Sequence, residues 1–333
     1  MRVLLRADAG HDRGTGHVMR CLTLAEGLVS REHDVALMGA IDGVGWLAAH
    51  LAATGIEVIG CETDELDAAR IARAGFDRAV VDSYWIDPAA IAALDDSLPT
   101  LAIIDNTDRG IQASWYLDQN LGAEDRSWPA AITPRLLAGS DYALIRDAIL
   151  AERRPGPGSI DGRRPRVVVF MGGTDPGDVM VEVAASIAAS RPAAEVIAIT
   201  VDRLVERVTR EFAPLPAATV LPPTDDLPRL LGSADVVVSA AGTSAWDVCA
   251  MGLPAVLVAV VDNQRASLAQ ALDRGVALGL DGTAPGAASE TGRLLTTLLD
   301  DADLRRRLSS TALRVIDGRG KDRVAAALEG DAA

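Results

Sequence analysis

Aromatic side chains are scarce: phenylalanine, tryptophan and tyrosine make up 3% of the 333 residues. With hydrophobic residues still at 49%, the core has to come from aliphatic strands and alanine-rich helices, as in α/β proteins. Positive charge is also in deficit, with 32 basic against 47 acidic residues and a net charge of −15. No basic field exists to replace phosphate counterions, which argues against nucleic acid as a partner. A small phosphorylated ligand, held locally by backbone amides and helix ends, remains compatible. Cysteine is limited to Cys21, Cys61 and Cys249, an odd number without metal-ligand spacing, pointing to a reduced, cytoplasmic compartment. No apolar run reaches the ~18 residues of a membrane span, and no charged-then-apolar leader precedes the first strand. A soluble protein without membrane insertion is expected. The dinucleotide fingerprint G-x-G-x-x-G, short-period repeats and low-complexity tracts are missing too.

What is present is alternation. Short β-branched or aliphatic runs (Val3 to Arg6, Val35 to Met38, Glu57 to Ile59, Ala79 to Asp82, Leu101 to Asp105) alternate with amphipathic stretches such as Val18 to Val29 and Pro88 to Leu94. This pattern predicts βαβ units around a parallel sheet. The stretch "AERRPGPGSIDGRRPR", with its prolines, glycines and charges, reads as an interdomain linker. Beyond it the alternation restarts at "VVVFMGG" and continues through Val196 to Ile199, Ala218 to Leu221, Val236 to Ser239 and Ala255 to Val260. The expected organisation is a domain over 1–150, a linker over 151–165 and a second domain over 166–333. In open parallel sheets ligands sit beyond the carboxyl ends of the strands, so the loops after strands are where chemistry is sought.

Four such loops stand out. The first, Asp8 to His17, holds Gly14, Thr15 and Gly16 directly before His17. His17 at a helix N-terminus is disposed to be a neutral proton acceptor; a capping or surface histidine is the alternative. Cys21, one turn on, reads as a small buried residue. The second, Gly172-Gly173-Thr174-Asp175-Pro176, suits either an anion-binding turn or an ordinary helix start with Asp175 as N-cap and Pro176 at the first helical position. The third combines Gly242-Thr243-Ser244, small enough for a phosphate to approach the backbone, with Asp247 in reach of a ribose diol and Asp262-Asn263-Gln264 after the next strand. The fourth is Asp82-Ser83-Tyr84, whose carboxylate and phenol are expected to face the ligand, or else form a turn with a half-buried tyrosine. Asp301-Ala302-Asp303 reads as a helix start rather than a metal motif, and Arg305 to Arg307 as a solvated helix face. The histidines at 11, 33 and 50 lack any metal pattern.

The blocks "RADAGHDRGTGHVMRCLTLAEGL", "DSYWID", "LDQNL", "YALIR", "FMGGTDP", "SAAGTSAWDVCAMGLPAVLV", "DNQ" and "DGRGKDRV", in this order, resemble the UDP-2,4-diacetamido-2,4,6-trideoxy-β-L-altropyranose hydrolases of pseudaminic acid biosynthesis and the related SpsG-like spore-coat proteins. The resemblance spans nearly the whole chain. It implies a GT-B architecture, two Rossmann-like domains with a nucleotide sugar held in a cleft between them, UDP on the C-terminal one. It also implies that His17 is the base, that Tyr84 lies near the sugar and that Asn263 belongs to the active site. The Gly172 to Thr174 and Gly242 to Ser244 loops, with Asp8, Asp82 and Gln264, would complete the binding set. Asp247 stands where such proteins usually carry glutamate for the ribose.

The expected function is metal-independent release of UDP from an amino or deoxy sugar, without a cofactor. UDP is a good leaving group, so one base to activate water plus donors for the diphosphate suffice, unlike the two carboxylates of ordinary glycosidases. A glycosyltransferase of the same fold is the rival: His17 deprotonates an acceptor hydroxyl equally well. A non-catalytic nucleotide-sugar binder is the third reading. The sequence leaves the oligomeric state open.

Overall fold

The computed structural model describes residues 1–10, 12–154, 156, 160 and 162–330. His11 and parts of the expected linker (155, 157–159 and 161) lie outside the described residues. The chain forms two compact units, Met1–Ile145 with Gly318–Ala333, and Arg146–Asp317.

The N-terminal unit is built on seven strands: β1 (Arg2–Arg6), β2 (Asp34–Met38), β3 (Glu57–Ile59), β4 (Arg78–Asp82), β5 (Thr100–Ile103), β6 (Trp115–Asp118) and β7 (Leu136–Ala138). They are all parallel, in the order β3-β2-β1-β4-β5-β6-β7. Side chains alternate between two aliphatic layers, as a doubly covered sheet requires. Val3 and Leu5 of β1, Val80 of β4, and Leu101 and Ile103 of β5 pack in one layer with the helix Gly16–Val29. Leu4, Ala79, Val81 and Ala102 point into the other, against the helices Ala68–Arg73 and Pro88–Asp95. The second helix starts as its sequence dictates: Asp87 accepts from the Ala89 amide at 2.9 Å, and Pro88 follows at the first helical position.

The other unit holds β8 (Arg166–Phe170), β9 (Glu195–Ile199), β10 (Ala218–Leu221), β11 (Val236–Ala240), β12 (Ala255–Ala259) and β13 (Leu278–Asp281), in the order β10-β9-β8-β11-β12-β13 and again all parallel. Valines and alanines of its strands share one core with the helices Val179–Ser190 and Thr291–Asp300. No helix of the described residues is long and apolar enough to cross a membrane.

Two expectations are corrected here. The boundaries 1–150, 151–165 and 166–333 miss that the chain returns: the helix Gly320–Leu328 belongs to the first unit, with Val324, Ala325 and Leu328 in the layer that holds Val3 and Leu5. The helix docks through Gly320, where a Cβ would stand 2.2 Å from the Ala143 carbonyl oxygen. Its lysine, Lys321, is buried and bonded to Glu26 at 2.9 Å. The second correction concerns Arg305, which does not face solvent. It is 7% exposed, and its guanidinium donates to the Leu298 and Leu299 carbonyls at 2.6 and 2.7 Å, tying off the preceding helix. Asp301 starts the helix Ala302–Val315, accepting from the Leu304 amide at 2.8 Å.

Candidate active site

The first sheet winds outward from β1 to β3 and then back from β4, so its topological switch lies between β1 and β4. The loops after these two strands carry the residues of interest. After β1 the chain closes on itself: the Gly10 amide donates to the Gly14 carbonyl at 3.2 Å and the Gly14 amide to the Gly10 carbonyl at 2.9 Å. Gly14 takes φ of 75°, a conformation that favours glycine. Both amides are thereby engaged within the turn, and Thr15 is 7% exposed. The turn delivers Gly16 and His17 as the first residues of the helix Gly16–Val29. Asp8 is also occupied elsewhere. Its carboxylate takes both ends of the fully buried Arg6 guanidinium, at 2.5 and 3.0 Å, and the Ala40 and Asp64 amides at 2.8 and 3.0 Å. It braces the loop rather than a ligand.

His17 is 7% exposed, and its Nδ1 lies 2.7 Å from Oδ1 of Asp82, the last residue of β4. With Nδ1 donating to the carboxylate, the neutral ring carries its lone pair on Nε2. Nε2 has no hydrogen-bond partner among the described residues. Asp82 was expected to face a ligand; it is 1% exposed and also accepts from Arg20 Nε and Nη2 at 2.7 and 2.6 Å. Arg20, one helical turn beyond His17, forms a second fork on Asp105 at 2.9 and 3.0 Å. Asp105 is further bonded by the Tyr84 hydroxyl at 2.6 Å and by Asn120 Nδ2 at 2.8 Å. Tyr84 thus gives its phenol to Asp105 and presents its ring edge-on to His17, centroids 4.7 Å apart. Ser83 Oγ accepts from the Trp85 and Ile86 amides at 3.1 and 3.2 Å, which sets this turn.

The electrostatics follow from burial. Burial opposes ionisation of Asp82 and Asp105, yet Arg20 holds both carboxyls below their ordinary value, with His17 aiding Asp82 and Tyr84 and Asn120 aiding Asp105. Burial works against the Arg20 charge as well, but the two carboxylates keep it well above the usual guanidinium range. Burial and the neighbouring Asp105 charge push the Tyr84 phenol far up, so it stays protonated. Two carboxylates face one guanidinium, leaving one negative charge to compensate an imidazolium on His17. Cys21 is buried beneath them and its thiol is raised by burial and Asp82, making it an inert core residue. Sequence reasoning missed Arg20, Asp105 and Asn120. Arg20 sits at the i+3 position from His17, and Asp105 and Asn120 follow β5 and β6, the signal that strand-end polar residues carry.

The second sheet switches between β8 and β11. After β8, Gly172 takes φ of 81° and is exposed, with Gly173 and Thr174 half-buried beside it. Neither half of the expected Asp-Pro helix start is observed. The helix begins at Val179, and Asp175 reaches forward to the Val179 and Met180 amides, both at 3.0 Å. Arg203 pins the loop by donating to the Thr174 and Asp175 carbonyls at 3.1 and 2.6 Å. After β11, Gly242 and Ser244 are half-buried and Thr243 is exposed, its side chain making no cap bond to the helix Ser244–Ala250. Gln264 secures this loop: its Oε1 accepts from the Val260 amide at 2.9 Å, and its Nε2 would stand 3.1 Å from a Cβ on Gly242. Asn263 is exposed on the single turn Asp262–Gln264. Asp247 is 7% exposed and accepts from Arg146 Nη2 at 2.7 Å, so an arginine already shares the carboxylate read as a ribose ligand. Among the described residues no three His, Cys, Asp or Glu side chains gather as metal ligands.

Residues 167–278 match the glycosyltransferase family 28 C-terminal domain, which covers β8 through the loop set just described. Over 344 residues, 99% of this chain and 98% of the relative, the sequence is 24% identical to the spore coat polysaccharide biosynthesis protein SpsG of Bacillus subtilis (strain 168). Among solved structures, MurG of Acinetobacter baumannii superposes with a TM-score of 0.69 at 16% identity, covering 99% of both chains. The spinosyn rhamnosyltransferase SpnG, solved with spinosyn aglycone, gives 0.67 at 16% identity over 99% of this chain and 100% of its own. A putative UDP-N-acetylglucosamine 2-epimerase from Listeria monocytogenes gives 0.65 at 11% identity over 99% and 96%. At such identities the likeness concerns the fold, and the fold is GT-B: two Rossmann-like units with parallel sheets.

Proposed function

We propose that the protein is a nucleotide-sugar-processing enzyme of glycoconjugate biosynthesis that releases the sugar at its anomeric carbon, with His17 as general base. The observation that carries this reading is the Asp82–His17 pair at 2.7 Å, with Nε2 left free. The family 28 match of the second unit, the full-length similarity to SpsG and the transferases among the structural neighbours support the substrate class.

In the proposed step, Nε2 accepts a proton from water as the water oxygen bonds to the anomeric carbon. The bond from that carbon to the diphosphate oxygen breaks, and its electron pair leaves with UDP. Asp82 holds the ring in the tautomer that keeps Nε2 unprotonated and balances the imidazolium once it forms. Arg20 and Asp105 hold Asp82 in turn, and the Tyr84 ring fixes the imidazole plane from its side. The loops Gly172 to Thr174 and Gly242 to Ser244 bind the nucleotide diphosphate, and Asp247 with Arg146 adjoins the ribose. Asn263, exposed on its turn, orients the sugar or water.

The second reading keeps every residue and replaces water by an acceptor hydroxyl; the rhamnosyltransferase among the neighbours favours it. A panel of UDP- and dTDP-sugars in oxygen-18 water, with and without acceptors, tests both. Label in the sugar hydroxyl supports hydrolysis at the anomeric carbon. Nucleotide release only with acceptor present supports transfer. Label in phosphate, or no turnover of any donor, overturns the assignment of His17.

A further inference from the structure

Trp85 is an anomaly in a chain so poor in aromatics. Of its five tryptophans it alone belongs to the exposed large hydrophobic residues, at 43% exposure. It is also the residue beside Tyr84, with its ring 5.8 Å from His17 and 5.6 Å from Tyr84, edge-on to both. A half-exposed indole offers a flat apolar surface that a ligand can cover, and here the ring stands beside His17, whose Nε2 is free.

The ring is held, not loose. The Arg13 guanidinium stacks on it 4.3 Å from the centroid, and Arg13 is itself locked by a two-pronged bond to Asp64 at 2.7 and 2.8 Å. That ion pair neutralises the arginine, so the platform presents an apolar surface without net charge. Arg109 stands 5.6 Å from the Tyr84 phenol ring, donating one bond to the Ser83 carbonyl at 2.5 Å. Its guanidinium has no carboxylate partner among the described residues, and its Nε is buried without an acceptor. An apolar aromatic face, with an arginine lacking a carboxylate partner on the neighbouring Tyr84, suits a ligand with one C–H-lined face and hydroxyls around its rim. A pyranose ring is such a ligand.

We propose that Trp85 is a stacking platform for a sugar ring, setting that ring against His17, with Arg109 donating to the ring's hydroxyls. This deepens the functional reading given above and rests on it. The ring belongs either to the nucleotide donor or to a saccharide acceptor, and the test separates these sources.

Wild type, Trp85→Phe and Trp85→Ala are titrated calorimetrically with UDP, dTDP and their N-acetylglucosamine and rhamnose conjugates. The nucleotide-loaded proteins are then titrated with free N-acetylglucosamine and rhamnose. Trp85→Ala is expected to leave affinity for the bare nucleotide unchanged and to lower sugar-dependent affinity about tenfold, with Trp85→Phe recovering most of it. Loss in the first set assigns the ring to the donor, and loss in the second assigns it to an acceptor. Equal sugar-dependent affinity in wild type and Trp85→Ala, or none in wild type that binds the nucleotide, overturns the platform. Failure to bind either nucleotide overturns the functional reading instead. Thermal melting of each variant verifies folding, which a substitution at this exposed position leaves intact.

Discussion

His17 Nδ1 and Asp82 Oδ1 meet at 2.7 Å although 65 residues separate them in sequence. One comes from the helix after β1 and the other from the end of β4, so the topological switch of the sheet is what makes them neighbours. The pairing leaves a single ring nitrogen for chemistry, and the first two predictions follow from it.

Replacing His17 by alanine removes the proposed proton acceptor and none of the loops proposed to bind nucleotide. Turnover of the cognate nucleotide sugar is expected to fall by about 10²- to 10⁴-fold, with nucleotide affinity within about twofold of wild type. Steady-state kinetics and a nucleotide titration check this; unaltered turnover refutes the role of His17.

Asp82→Asn keeps the shape but turns the partner into a group that can donate to Nδ1. This moves the imidazole proton to Nε2, where the lone pair is needed. We expect a fall in kcat of at least about a hundredfold with KM little changed. Nitrogen chemical shifts of the imidazole report the tautomer directly, and an unchanged spectrum refutes the mechanism.

Arg20→Leu strips the charge shared by Asp82 and Asp105 and leaves two buried carboxylates facing each other. About 3–5 kcal/mol of stability is expected to be lost at neutral pH, read from urea unfolding. Arg20→Lys, which keeps the charge but not the double fork, should recover part of this.

The same network sets the acid limit. Both carboxyls are held below the 3.8 of an isolated aspartate, the value to which they return on unfolding. Their contribution is complete above that value and disappears as pH falls from it through the lower folded values. Urea midpoints of the wild type should drop steeply below about pH 4, and those of Asp105→Asn less steeply because one linked proton is gone. Parallel slopes in the two proteins would contradict this linkage.

Gly320→Ala places a Cβ against backbone, 2.2 Å from the Ala143 carbonyl oxygen, where no flexible side chain can give way. The helix Gly320–Leu328 must shift outward, and a loss of about 1–3 kcal/mol is expected by urea unfolding.

Periodicity made most of the fold legible. The runs at Val3, Val35, Glu57, Ala79, Val196, Ala218, Val236 and Ala255 all form strands, since parallel strands covered on both faces are continuous aliphatic runs. Strands β6, β7 and β13 escaped. "WYLD" has an aromatic, charged composition, "LLA" is only three residues long, and "LGLD" holds a glycine that a close approach to the Leu257 carbonyl demands. For the site, the loops after β1, β4, β8 and β11 were legible because strand ends are where small and polar residues interrupt aliphatic runs. What each side chain does there was not. Asp82 in "DSYW" and Asp8 in "RADAG" look alike in sequence, each a carboxylate near a strand end. Only the partners brought by folding separate them, His17 and Arg20 for one, Arg6 and two amides for the other. Arg20 and Asp105 were illegible for the same reason, since charges 85 residues apart meet only through strand order.

The helix Gly320–Leu328 closes a core whose strands were all made before residue 139. During synthesis, residues 146–317 can complete their own sheet while the first sheet still lacks Val324, Ala325 and Leu328. Residues 1–145, made before 146–317, therefore complete their core after it, with an apolar layer uncovered in the interval.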